Sequence, residues 1–316
     1  NRMYRRLLVS LWLLTNHPTI VSCLQSVAVG DVELHRTVSR RRCLLSSGAI
    51  AVGWWTCNID VAWGLEKVSS RLEQEILSLP APSYASELNG VDNTYFPAFL
   101  QGTWNVTQTL VATSTPLGLK FLGGPNGDLA IAEKTMTEAR SKIGKQVKLQ
   151  LRYVPTKWGV AEDRIFNTKA RLNAFAEKNV VASVNYADVG GSNRPSVLAL
   201  GGSENDPLQT TVTYFKGPAA QKSFLISHGG EQLGESSWAG YEVQRSIFAL
   251  TNQNTAPPIT TDTEYIWKFD RVDDVTVLGR LRIASYLNAQ TDKLYFEASN
   301  RAVSLQDYSL EMARVD

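Results

Sequence analysis

From Thr103 onward the chain is a succession of short stretches rich in Thr, Val, Tyr and Ile, each cut off by Gly, Pro, Asn or Asp. Apolar and polar side chains that alternate put one face of a strand on a core and the other in water. Segments 103–113, 147–154, 180–186, 210–215, 242–249, 265–269, 275–286, 293–297 and 303–312 have this character. Turn formers separate them, as in Gly123-Gly124-Pro125-Asn126-Gly127 and Gly201-Gly202-Ser203. Segments 271–274 and 288–292 have the composition of hairpin connections, so the C-terminal strands are predicted to run as an up-and-down meander. Two stretches have helical spacing instead. One is 129–143, ended by Gly144; the other is 168–178, where Leu172, Phe175 and Ala176 share a face. The pattern predicts an all-β, antiparallel domain with a few short helices over 95–316.

One local feature narrows the class. Phe99-Leu100-Gln101-Gly102-Thr103-Trp104 sets a Gly-x-Trp at the entry to the first strand. Lipocalin-like barrels open this way: the glycine lets backbones approach closely, and the Trp plugs one end. In such barrels an Arg of the last strand packs on that Trp as a cation–π pair; here the last strand runs to Arg314, with Arg301 just before it. A closed or nearly closed lipocalin-like β-barrel is therefore expected, with a two-sheet sandwich as the alternative.

The first 62 residues differ from the rest. They hold seven of the chain's 32 Lys and Arg, all of them Arg, and all three cysteines, Cys23, Cys43 and Cys57. Arg5 and Arg6 precede an apolar run from Leu7 to Leu14, the order of a secretory signal. An acid-poor stretch follows, and then Arg40-Arg41-Arg42 stand before a second apolar run, the twin-arginine export pattern. Signal, transit and twin-arginine elements in that order predict a cleavable leader over 1–62, addressed to the thylakoid lumen of a plastid. Segment 63–94 is expected to be an amphipathic helix and a linker. Leu65, Val68, Leu72, Ile76 and Leu79 recur at helical spacing, and Pro80 and Pro82 end the run.

The chemistry-bearing residues are few. Beyond residue 62 the chain has no Cys and a single His, His228, which leaves thiolate chemistry and His-rich metal sites without their ligands. No cofactor motif is present, and Gly123-Gly124-x-x-Gly127 lacks the Gly-Lys-Ser/Thr ending of a phosphate loop. No basic patch points to nucleic acid, and no apolar run is long enough for a transmembrane helix. His228-Gly229-Gly230-Glu231 is expected to be a surface turn, and no nucleophile elbow accompanies it. Glu162, Asp163 and Arg164, just before Phe166 and Asn167, are candidates for a polar cluster at a barrel mouth, where the planar fork of Arg164 suits a carboxylate or phosphate. The competing assignment is a salt-bridged turn from Glu162 to Arg164 that starts the next helix. Trp104, Trp158, Trp238 and Trp267 are core or cavity-lining candidates.

Several blocks carry a resemblance. Phe96-Pro97-x-Phe99-Leu100-Gln101-Gly102-Thr103-Trp104 is the first. Thr115-Pro116-Leu117-Gly118, Leu151-Arg152-Tyr153 and Ala161-Glu162-Asp163-Arg164-Ile165-Phe166-Asn167 follow, and Gln306-Asp307-Tyr308-Ser309-Leu310 closes the set. Together they resemble an uncharacterised domain-of-unknown-function family, the one numbered 6816, of plants, algae and cyanobacteria. The resemblance covers about residues 95–313 and implies a plastid setting, not a reaction. The reading that follows is a non-catalytic lumenal protein. Gly102, Trp104, Arg152, Arg164, Asn167 and Arg314 are its barrel-closing or ligand-binding candidates. The ligand expected is a small apolar molecule such as a lipid, pigment or quinone. The alternative is an assembly factor docked on a thylakoid membrane complex.

Overall fold

The β-rich pattern resolves into a single antiparallel sheet. The computed structural model of the protein describes residues 67–81, 93–187, 209–252 and 258–315. The leader expected over 1–62, with Arg40, Arg41 and Arg42, lies outside the described residues, as does most of the linker expected before Tyr95. The strands are β1 (Gly102–Ser114), β2 (Gln146–Thr156), β3 (Gly159–Glu162), β4 (Val181–Tyr186), β5 (Thr211–Phe215), β6 (Ala219–Gln232), β7 (Ser237–Leu250), β8 (Ile259–Arg271), β9 (Thr276–Tyr286) and β10 (Ser304–Arg314). Their order across the sheet is β3-β2-β1-β10-β9-β8-β7-β6-β5-β4. The sheet curls into a half-barrel that is open, not closed, with β3 and β4 as its free edges. What joins those edges along the chain is not a ladder but a helix, α2 (Arg164–Phe175). Two further helices are α1 (Leu129–Arg140) and α3 (Tyr295–Ala298). No helix among the described residues is long and apolar enough to cross a membrane.

Register explains the interior. Residues directly opposite on neighbouring strands share a face. Trp267 faces Leu281, Leu281 faces Tyr308 and Tyr308 faces Leu110, so one row of large side chains crosses four strands. With Trp104, Val106, Phe269, Leu310 and Met312 they form the main buried cluster. Each fully buried side chain of this size contributes about 1.5–3 kcal/mol. Trp238 joins this cluster because two strand glycines make room for it. A Cβ at Gly240 would meet its ring at 2.0 Å, and one at Gly230 at 2.8 Å. Glycine inside a strand marks such an aromatic bed.

That bed corrects one expectation. His228, Gly229 and Gly230 are not a surface turn but lie within β6, with His228 opposite Glu242 of β7. Segment 293–297 is also not a strand: it carries α3, inside a long connection between β9 and β10. Ser299 and Asn300 take positive φ, 54° and 58°, and end that helix. Its turn is held by packing in a satellite cluster of Phe121, Leu287, Ala298 and Val303. The 271–274 hairpin is present, with Asp273 accepting from the Val275 amide at 2.8 Å. α2 begins four residues before the expected Thr168, because Asp163 caps it: its carboxylate accepts from the Phe166 amide at 3.0 Å.

The segment before the domain is a strap, not a free amphipathic helix. Residues Val68–Leu72 make a short 3-10 turn; the chain then bends at 75–76 and pairs at Ser78 with Arg301. Leu72 and Leu77 are buried on the outer face of the sheet against Ile266, Tyr286 and Leu305. Ile76, which helical spacing would put beside Leu72, is 50% exposed. Arg71 fixes the strap with two bonds of 2.8 Å to the buried Glu264 carboxylate, which also accepts from the Tyr286 hydroxyl at 2.6 Å. A charge so buried is tolerated only with partners of this quality.

Candidate functional site

The interior has two unlike ends. At one, a 3-10 turn (Ala98–Leu100) leads into β1 through Gly102, whose φ of 124° favours a residue without a side chain. Trp104 follows, 0% exposed, its indole donating to the Leu100 carbonyl at 2.7 Å. The Arg314 guanidinium lies 4.5 Å from the Trp104 ring centre. It donates to the carbonyls of Phe99, Gln101 and Asp274 at 2.9, 2.6 and 2.9 Å. One side chain thus ties the first strand, the last strand and the β8–β9 turn, and Phe96, Trp238 and Phe269 fill the space behind it. Buried aromatic side chains pack this end.

At the other end α2 lies over the gap between the two sheet edges. Three polar side chains hold it there. The Asn167 amide mimics a strand partner: its oxygen accepts from the Arg152 amide at 2.7 Å, and its nitrogen donates to the Arg152 carbonyl at 3.1 Å. Arg152 in turn grips the Asp163 cap at 2.8 Å and stacks 4.5 Å from the Phe166 ring. Arg164 reaches across the interior to β7, where it meets Glu242 in a fork of 3.1 and 2.6 Å, with Asn93 accepting a further bond at 2.9 Å. Glu242 is 0% exposed and also accepts from Gln244 at 3.0 Å. Burial by itself would raise the Glu242 carboxyl, but the Arg164 charge and its bonds outweigh that and hold it at about 2. A second pair, Arg171 with Glu162, joins the next turn of α2 to β3.

Between α2 and the sheet lies a cavity of about 130 Å3. That is an order of magnitude above the ~10–15 Å3 that one water needs. Its floor is apolar, from Leu225, Trp267, Leu281 and Ile283, and Leu172 and Phe175 of α2 cover it. Polar side chains form much of the rest of the lining, among them Gln108 of β1, Gln221 and Ser223 of β6, and Gln244 and Ser246 of β7.

The structure separates the sequence-derived candidates into two groups. Gly102, Trp104 and Arg314 belong to the plug. Arg152, Arg164 and Asn167 belong to the lid, where Arg164 lines the cavity and the other two position its helix. The Arg164 fork is already occupied by Glu242, so no carboxylate or phosphate of a ligand is needed to fill it. Trp158 sits in the β2–β3 turn, 54% exposed, and does not line this cavity. Sequence reading did not single out Glu242, Arg171 or the polar wall. The signal was there in Glu242, Gln244 and Ser246, three polar residues at a period of two on a face that had to be interior.

Fold and site together define an open antiparallel β half-barrel, plugged at one end and lidded by a helix at the other. Residues 89–316 match the family described as domain of unknown function (DUF6816), and the chain belongs to that family. No curated protein and no solved structure matches the chain.

Proposed function

We propose that this chain is a non-catalytic binding protein that holds one small molecule between α2 and the curled sheet, in the thylakoid lumen of a plastid. The observation that carries the reading is the mixed cavity under α2, with an apolar floor and a wall of side-chain amides and hydroxyls. A concave, mostly preformed site with a few convergent polar groups is what a small-molecule pocket requires. The carboxylates at hand are both engaged by arginines, Glu242 by Arg164 and Glu162 by Arg171. The ligand has an apolar side, as a lipid, pigment or quinone does, and a polar side that those wall residues match.

Native mass spectrometry of the protein recovered gently from its own tissue tests this. The expected result is a stoichiometric small-molecule adduct that organic extraction releases. Ser246→Trp, which fills the cavity from β7, is expected to remove the adduct and leave the fold intact. A bare wild-type protein in every gentle preparation would end the proposal. Fractionation of plastids, with recovery of the mature chain in the lumen, tests the address separately. The alternative, an accessory factor docked on a thylakoid membrane complex, draws on the same address and on the segment at 65–79, of which Leu72 and Leu77 pack in a cluster with the sheet while Ile76 is 50% exposed.

A further inference from the structure

We propose that the ligand of the α2 cavity is a neutral polyhydroxylated ring, a monosaccharide or cyclitol; the inference rests on the binding reading above and gives it a ligand class. Charge comes first. The ionic groups that line the cavity are Glu162, Arg164 and Arg171. Glu162 and Arg171 pair with each other, and Arg164 is forked onto Glu242. A charged ligand would have to break one of these pairs and leave a buried ion unanswered, at a cost that usually exceeds what the new contact returns. The site is therefore built for a neutral guest.

The apolar part of the lining is partly aromatic. Tyr265 and Trp267 both line the cavity, and their rings are parallel and stacked, 6.0 Å between centres and 11° between planes. Aromatic rings carry an electron-rich face, and the C–H face of a sugar ring carries the complementary partial charge.

The polar part states what is missing. The Gln221 amide bonds to the hydroxyls of Ser223 and Ser246 at 2.9 and 3.2 Å through one end only; its other end is buried with no partner. Whichever way round the amide is set, one end is unmet. Arg164, nine-tenths buried, has its Nε–H without a partner as well. An unmet buried donor and acceptor are each costly, and native interiors rarely keep them. A hydroxyl both donates and accepts, so a ring bearing several hydroxyls answers both groups at once. A quinone carbonyl only accepts, and a hydrocarbon does neither. Size agrees: at ~10–15 Å3 per water-sized group the cavity takes on the order of ten such groups, the size of one ring.

The test uses the full chain. Neutral probes (glucose, galactose, mannose and myo-inositol) are titrated while Trp fluorescence and saturation-transfer NMR are read. Decylplastoquinone serves as the acceptor-only probe and glucose 6-phosphate as the charged one. Saturable binding of at least one neutral ring is expected, with the phosphate ester much weaker. Ser246→Trp is expected to abolish it. Gln221→Leu, similar in volume but unable to hydrogen-bond, is expected to weaken it about tenfold while thermal unfolding stays as in the wild type. Sugar binding that survives Ser246→Trp places the site elsewhere and overturns the inference. Quinone binding that Ser246→Trp removes, with no sugar bound, overturns the sugar and keeps the binding reading. No probe bound, together with a bare protein by mass spectrometry, overturns both. Failure of every neutral ring overturns the inference whatever adduct the native protein carries.

Discussion

The two ends of the half-barrel solve one problem with the same residue type in opposite ways. Each has to close the inside of a curled sheet, and each uses an arginine. Arg314 stays half-exposed, caps an aromatic ring and spends its donors on three backbone carbonyls. Nothing charged is buried there, and the apolar packing behind it does most of the stabilising. Arg164 goes inside, and a carboxylate must follow it. The difference teaches that the plug is a sum of small, separable terms, whereas the lid is one coupled unit. The plug is packed with aromatic side chains, whereas a cavity lies under the lid, where charged partners need stems and neighbours that do not pack like Leu and Phe.

That contrast can be broken by experiment. The largest effect is expected from Glu242→Ala, which strands the Arg164 charge inside: a loss of about 3–5 kcal/mol in urea unfolding, with most of it regained in the Arg164→Met, Glu242→Leu double variant. A loss smaller than that of the plug variant below would overturn the comparison. Next comes pH. The Glu242 carboxyl is depressed from its ordinary 4.5 to about 2, so its contribution is complete above pH 4.5 and is lost as pH falls towards 2. That window is expected to cost on the order of 3 kcal/mol. The slope of stability against pH should flatten there in the double variant, and an unchanged slope would remove Glu242 as its source. Arg314→Ala is expected to cost less, about 1–2 kcal/mol, and to leave ligand binding at the other end unchanged. The smallest effects are expected at exposed rings. Trp158→Ala and Phe296→Ala, with Phe296 83% exposed, should each stay within about 0.5 kcal/mol.

The plug was legible in the sequence and the lid was not, for a physical reason. Gly102 and Trp104 lie two residues apart, and that Gly-x-Trp opening resembles the one in lipocalin-like barrels, where an Arg of the last strand packs on the Trp, so a local signature led to both partners of the cation–π pair. Arg164 and Glu242 are brought together only by the curl of the sheet, and no local spacing encodes that. Most strands were legible from alternation. β6 was not, because Gly229 and Gly230 read as a turn until Trp238 is seen lying against the glycines. β3 was missed because four residues, Gly159–Glu162, are too few to show a period. The strap misled in the other direction. Leu72 and Ile76 have helical spacing, but Arg71 needs Glu264, and the chain leaves the helical path to keep Leu77 on the sheet.

The strand order carries one more consequence, for how the chain finds its shape. Eight of the ladders join strands that follow one another along the chain, while β1 with β10 brings Trp104 against Arg314 from opposite ends of the domain. Local hairpins form quickly, and a pairing that closes most of the domain into a loop is slow. The β4–β10 meander is thus able to assemble as a unit, with β1–β3 arriving last along the β10 flank. Pulse-labelled hydrogen exchange during refolding is expected to protect the amides of β7 and β8 before those of β1, and the reverse order would refute this sequence of events. The seam that the plugging tryptophan and the last arginine clasp is, on this view, the moment of commitment: before it the molecule is an open ribbon, and after it the interior exists.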